Sequence, residues 1–114
     1  MSIVHPLFTL RCGDTWAFSG PLQDSSGNAL ALTGATIVWK LDSLDGKTNY
    51  ITLTLGSGIE VTNSTTATVL YEATPTQTSA LTPGTYYDSL RVTLQDGESY
   101  TMVEGMINAL PSEP

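Results

Sequence analysis

The feature that most constrains this chain is a two-residue alternation of apolar and polar side chains. From Ala35 to Asp42, Ala35, Ile37, Trp39 and Leu41 alternate with Thr36, Val38, Lys40 and Asp42. A backbone that turns successive side chains to opposite faces separates these two sets, whereas a helix would mix them. The same period recurs with Trp16, Phe18 and Leu22, with Ile51, Leu53 and Leu55, and with Ala67, Val69 and Tyr71. Trp39 is expected at the centre of the core.

Turn chemistry separates the runs. Cys12-Gly13-Asp14, Asp24-Ser25-Ser26-Gly27-Asn28, Asp42 to Lys47, Asn63-Ser64 and Asp96-Gly97 are turns by composition, the last a hairpin signal between two long strands, Thr85–Gln95 and Ser99–Ala109. The pattern changes once. Thr74-Pro75-Thr76-Gln77 fits a helix start, with Thr74 as N-cap, Pro75 in the first turn and Gln77 completing a capping box, and Leu81-Thr82-Pro83-Gly84 stops it after about one turn. Short strands with turns roughly every 8–12 residues and no intervening long helices predict an all-β fold: an immunoglobulin-like antiparallel β-sandwich of seven to eight strands with one short helical turn near 75–80. A small β-barrel is the alternative, because strand count and hairpins alone do not separate the two.

A chain of 114 residues is the size of one domain. Residues 1–10 form an N-terminal arm with a possible edge strand from Leu7, 11–109 the sandwich, and 110–114 a frayed tail. Hydrophobic residues make up 40% and charged residues 13%, which places the chain among packed domains whose polar positions are filled by Thr, Ser, Asn and Gln. Four basic against eleven acidic residues give a net charge of −7, which repels phosphate backbones, so nucleic acid is not an expected partner. No basic-then-apolar leader and no apolar run of spanning length is present, so no membrane contact is expected. With Cys12 as the one cysteine, no intrachain disulfide can form, and folding in a reducing cytoplasm is adequate.

The inventory for catalysis is small: one histidine, His5, and one cysteine, Cys12, both near the N-terminus and in no recognisable nucleophile setting. No catalytic residue, cofactor or metal site is assigned. Structural zinc lacks the ligand count, and Asp42 with Asp45-Gly46 lacks the alternating ligands and closing Glu of a calcium loop. Asp14, Asp24, Asp42, Asp45 and Asp96 lie in or beside turns, where they bond to backbone. Asp88 shares parity with Tyr86, Leu90, Val92 and Leu94, so it is expected at the rim or buried in a structural hydrogen bond with Arg91, Lys40 or a backbone donor.

Partner-contact candidates come from the last hairpin and from scattered aromatics. In the final strand Val103 and Ile107 share one parity while Tyr100, Met102 and Met106 share the other, so both faces carry apolar bulk, as at a subunit contact or under a covering loop. Tyr50 and Tyr87, on the polar parities of their strands, are candidates for a partner or a sugar, and His5 for an interface.

The order and spacing of Arg11-x-Gly13-Asp14-Thr15, Asp24-x-x-Gly27-Asn28, Leu32-Thr33-Gly34-Ala35-Thr36, Leu81-x-Pro83-Gly84-x-Tyr86 and Asp96-Gly97 resemble small structural domains of tailed-bacteriophage virions. The similarity is to the immunoglobulin-like N-terminal domain of baseplate upper proteins and to short tail or head accessory proteins, and covers about Arg11 to Ile107. It implies a non-enzymatic virion component, made in the host cytoplasm, that docks on copies of itself or on other virion proteins. Because the sequence stops at Pro114 without a coiled coil, fibre shaft or receptor-binding region, a connector or decoration role is expected. A carbohydrate-binding adhesion module is the competing expectation, and an unrecognised hydrolase the third.

Overall fold

The computed structural model describes residues 3–112. Backbone polar groups removed from water must pair, and here the alternating segments pair edge to edge as β1 (Ile3–Val4), β2 (Phe8–Arg11), β3 (Trp16–Pro21), β4 (Thr36–Asp42), β5 (Asn49–Leu55), β6 (Gly58–Asn63), β7 (Thr68–Ala73), β8 (Gly84–Thr93) and β9 (Ser99–Leu110), with α1 (Pro75–Ser79) between β7 and β8. The spatial order is β1-β9-β8-β4-β5-β6-β7-β3, with β2 also on β9. The sheet curls until its ends face one another. Phe18 on β3 packs against both Trp39 on β4 and Phe8 on β2, with ring centroids 5.8 Å apart in each case.

The result is a sandwich of a larger layer, β1/β2-β9-β8-β4-β5, and a smaller one, β6-β7-β3. The adjacency of β4, β8 and β9 in one layer and of β3, β7 and β6 in the other is the immunoglobulin-like arrangement. At the corner between layers the chain passes from β5 to β6 through Gly56 and Gly58. Gly58 has φ +100°, and a Cβ there would lie 2.7 Å from the Leu53 side chain, so only glycine fits the crossing. A closed barrel would need β3 bonded to β1 or β2, and no such ladder joins them. Trp16, Ile37, Trp39, Leu41, Ile59, Val69, Leu90, Val92 and Ile107 are fully buried between the layers.

The sheet is mixed where an antiparallel one was expected. β1 and β2 run parallel to β9, and β5 pairs with β6 in parallel over a short stretch. Side-chain alternation carries no information about strand direction, which is why this was not legible. Nine strands occur among the described residues against the expected seven to eight, the addition being the two-residue β1. The arm at 1–10 thus contributes β1 and most of β2, and β9 runs into the expected tail as far as Leu110, which pairs with Arg11.

The helical turn forms as its sequence dictates. Thr74 Oγ1 accepts from Gln77 N at 3.2 Å while Gln77 Oε1 accepts from Thr74 N at 2.9 Å. Thr78 is fully buried, and its hydroxyl accepts from Gly13 N at 3.0 Å and donates to the Asp14 carbonyl at 2.7 Å, pinning the turn between β2 and β3. Tyr86, near the start of β8, donates its hydroxyl to the carbonyl of Thr82. This is the tyrosine corner of immunoglobulin-like sandwiches.

Candidate functional site

The expected parity of the last strand is broken by a β-bulge. Leu90 pairs with Val103 but Arg91 with Thr101, so Met102 is the extra residue and the faces exchange across it. Met102 is therefore buried at 4% exposure, while Met106, expected on the same face, is 51% exposed on the outside. Tyr100 is half-buried, and its hydroxyl bonds to the Glu98 carboxylate. The three residues do not form one surface.

Tyr50 and Tyr87 do not share a platform either. Tyr50 packs edge-on against the buried ring of Tyr86, centroids 5.1 Å apart, whereas Tyr87 turns to the opposite face of β8 and donates to Glu104 Oε2 at 2.9 Å. Burial, followed by that bond to Glu104, pushes the Tyr87 hydroxyl up to about 12.

His5 departs furthest from expectation. The sequence places it at an interface of an N-terminal arm, but its side chain is turned into the sandwich and is only 7% exposed. Nε2 lies 2.5 Å from Asp88 Oδ1, Nδ1 lies 2.6 Å from the Pro6 carbonyl, and the ring stacks on Phe8 at 4.1 Å. A carbonyl only accepts, so Nδ1 donates to Pro6, which leaves Nε2 to meet the carboxylate. Trp39 Nε1 donates to the other oxygen, Oδ2, at 3.1 Å. Burial raises the Asp88 pKa, against the lowering by the bonds from Trp39 and His5. Neither Arg91 nor Lys40 is its partner.

In many immunoglobulin domains the position two residues after the corner tyrosine is a cysteine whose disulfide packs on the tryptophan of the β4-like strand. Here Asp88 stands two residues after Tyr86 and binds Trp39 directly. The polar triad of His5, Asp88 and Trp39 thus ties the arm, β8 and β4 together where a disulfide would otherwise cross the layers. Gly105 on β9 makes room for it, since a Cβ there would lie 2.5 Å from the imidazole. Two signals in the sequence pointed this way: a carboxylate on an apolar parity, which demands a donor, and a lone glycine inside a strand, which marks a close approach.

Cys12 is buried at 3% exposure and burial pushes its thiol up, the opposite of what a nucleophile needs. Asp24, Asp45 and Asp96 each accept backbone N–H groups of their own turns, and Ser43 holds the Asp45 carboxyl below its ordinary value. No group of three or more metal-ligating side chains converges among the described residues.

Two surfaces remain. One is a cavity of about 690 Å³ between the layers at the open seam, lined by Phe8, Phe18, Val69, Leu90, Met102 and Val103, with Tyr71 and His5 also in its wall. The other is the outer face of the larger layer. There the registers align Thr54-Val38-Arg91-Thr101, Thr52-Lys40-Ser89-Glu104 and Asn49-Asp42-Tyr87-Met106 in successive rows across β5, β4, β8 and β9. The charged groups in these rows are Lys40, Arg91, Asp42 and Glu104, so the face is formally neutral in a chain of net charge −7.

No protein-family model matches the sequence, and no curated protein matches it. Among solved structures, the fold is similar to CopC from Methylosinus trichosporium OB3b, with a TM-score of 0.53 and 13% identity over 96% of this chain and 89% of that one. It is also similar to part of a glycoside hydrolase from Bacteroides vulgatus ATCC 8482, with a TM-score of 0.50 and 15% identity, this chain spanning 17% of the length of that protein. The major subunit of aggregative adherence fimbriae type I from Escherichia coli, AggA, aligns with a TM-score of 0.46 and 16% identity over 93% of this chain and 91% of that one. At such identities the likeness to the first two is one of fold alone: this chain is an all-β, immunoglobulin-like sandwich.

Proposed function

We propose that this chain is a non-enzymatic structural subunit of a phage virion that assembles through the outer face of its larger layer. The observation that carries the reading is the composition of that face. Three aligned rows of Thr, Ser, Val, Tyr and Met side chains carry two positive and two negative groups, whereas the chain as a whole is strongly acidic. Apposing two copies through the outer face of the smaller layer sets the exposed Glu60 and Glu72 of each against those of the other, while this neutral face avoids that penalty. Short threonine and serine side chains on a β-surface also lose little rotamer freedom on contact. The virion setting is supported by the order and spacing of the turn motifs from Arg11 to Asp96-Gly97.

The test is solution mass by light scattering from micromolar to millimolar concentration. The wild type is expected to rise to a discrete multiple of its 12.1 kDa, and a Val38→Glu/Thr101→Glu variant, which adds two negative charges to one row, to stay monomeric. A wild type that remains monomeric throughout overturns assembly through this face.

A further inference from the structure

Sandwich layers ordinarily close on one another with few gaps larger than a water molecule, yet the seam between β3 and the β1/β2 edge is left as an open cleft of about 690 Å³. That volume falls within the roughly 300–1,000 Å³ of small-molecule sites. Its walls come from both layers: Phe8, Leu90 and Val103 on one side, Phe18 and Val69 on the other, with the exposed Ile3 and the largely exposed Gln23–Gly27 turn also lining it. Gly20 on β3 lines it as well, and a Cβ there would meet nothing within 4 Å.

The polar groups of this wall are unequally employed. His5 uses both ring nitrogens, on Asp88 and the Pro6 carbonyl, and Asp88 uses both oxygens. Tyr71 is 6% exposed, is packed between Phe18 and Trp39 with centroids at 5.2 and 6.0 Å, and lines the cavity. Its hydroxyl makes no hydrogen bond to any described residue. Among the described residues no fully buried side-chain polar atom lacks a partner, so this hydroxyl opens onto the cavity it lines rather than into the packed core, and is free to donate there. Burial and the neighbouring Asp88 charge push this hydroxyl up to about 12, which keeps it a neutral donor at ordinary pH.

The geometry points to a binding site for a small, neutral, largely apolar molecule carrying one hydrogen-bond acceptor, lodged between the layers with its acceptor on the Tyr71 hydroxyl. Anions are disfavoured because the wall offers no free cation among the described residues and Asp88 lies close to Tyr71. Sugars would bring several hydroxyls against inner walls that are largely aromatic and aliphatic, the serines and Gln23 of the lining lying on β3 and in the Gln23–Gly27 turn. The site is separate from the outer face of the larger layer and stands independently of the assembly reading.

Two probes of nearly equal shape isolate the anchor: 2-acetylnaphthalene, which has a carbonyl acceptor, and 2-ethylnaphthalene, which has none. Titrated into the full chain and followed by calorimetry, both are expected to bind saturably, the ketone about 5-fold tighter, the yield of one hydrogen bond. Tyr71→Phe is expected to erase that ratio while hydrocarbon binding persists. Val103→Trp, with Gly20→Phe on the opposite wall as a second occluding variant, is expected to abolish binding of both in chains that circular dichroism shows to be folded. Failure of either probe to saturate the wild type, a ratio unchanged in Tyr71→Phe, or binding undiminished in a folded occluding variant would each overturn the site.

Discussion

Asp88 decides how this sandwich is held together. A carboxylate at 2% exposure is tolerable only with donors on both oxygens, and it has them in His5 and Trp39. The arrangement depends on Gly105. An alanine methyl there would lie 2.5–2.6 Å from three atoms of an imidazole stacked at 4.1 Å on Phe8, so the ring cannot slide aside and must leave. Gly105→Ala is therefore expected to strand Asp88 and cost about 3 kcal/mol in urea unfolding, in line with removal of one member of a buried pair. Asp88→Asn in the same background should recover part of the loss, and a loss below ~1 kcal/mol would contradict the triad's role. The burial of Asp88 follows from its parity in the sequence. The identity of its partner does not, because His5 lies 83 residues away and reaches it only through a parallel pairing that no local pattern encodes.

At the level of elements, local chemistry was legible wherever a short motif completes itself. Thr74 and Gln77 satisfy each other's backbone groups within one turn, and Asp24 accepts from Ser26 N and Asn28 N inside its own loop. The β-bulge at Met102 was not legible, since it arises from how β9 aligns with β8 and inverts parity partway along a continuous strand. A local clamp stands at the start of β8, where Tyr86 bonds back to Thr82 four residues upstream and closes the Leu81–Gly84 connection. Tyr86→Phe keeps the ring and its edge-on contact with Tyr50 but leaves the Thr82 carbonyl without this donor. The expected cost is about 1 kcal/mol in thermal or urea unfolding, with the denaturant slope unchanged because the core is intact. A variant as stable as wild type would mean that the corner does not clamp the connection.

For the molecule as a whole, the sequence specified a sandwich because one apolar parity per strand can be buried only by facing a second such surface. It did not specify which polar parity would be functional, since that depends on which strands become neighbours. Once β5, β4, β8 and β9 lie side by side, residues from four distant segments form a neutral, threonine-rich face, and Met106 joins it while Met102 goes to the core. These two methionines make the assembly reading directly testable within one sample. Hydroxyl-radical footprinting of the chain, dilute and concentrated, reads the oxidation of each. The assembly account predicts that Met106 oxidises readily when dilute and becomes protected on concentration, with Met102 slow throughout as the buried control. Equal oxidation of Met106 at both concentrations, in a sample whose mass has risen, would show that copies meet elsewhere and would contradict the outer face as the contact.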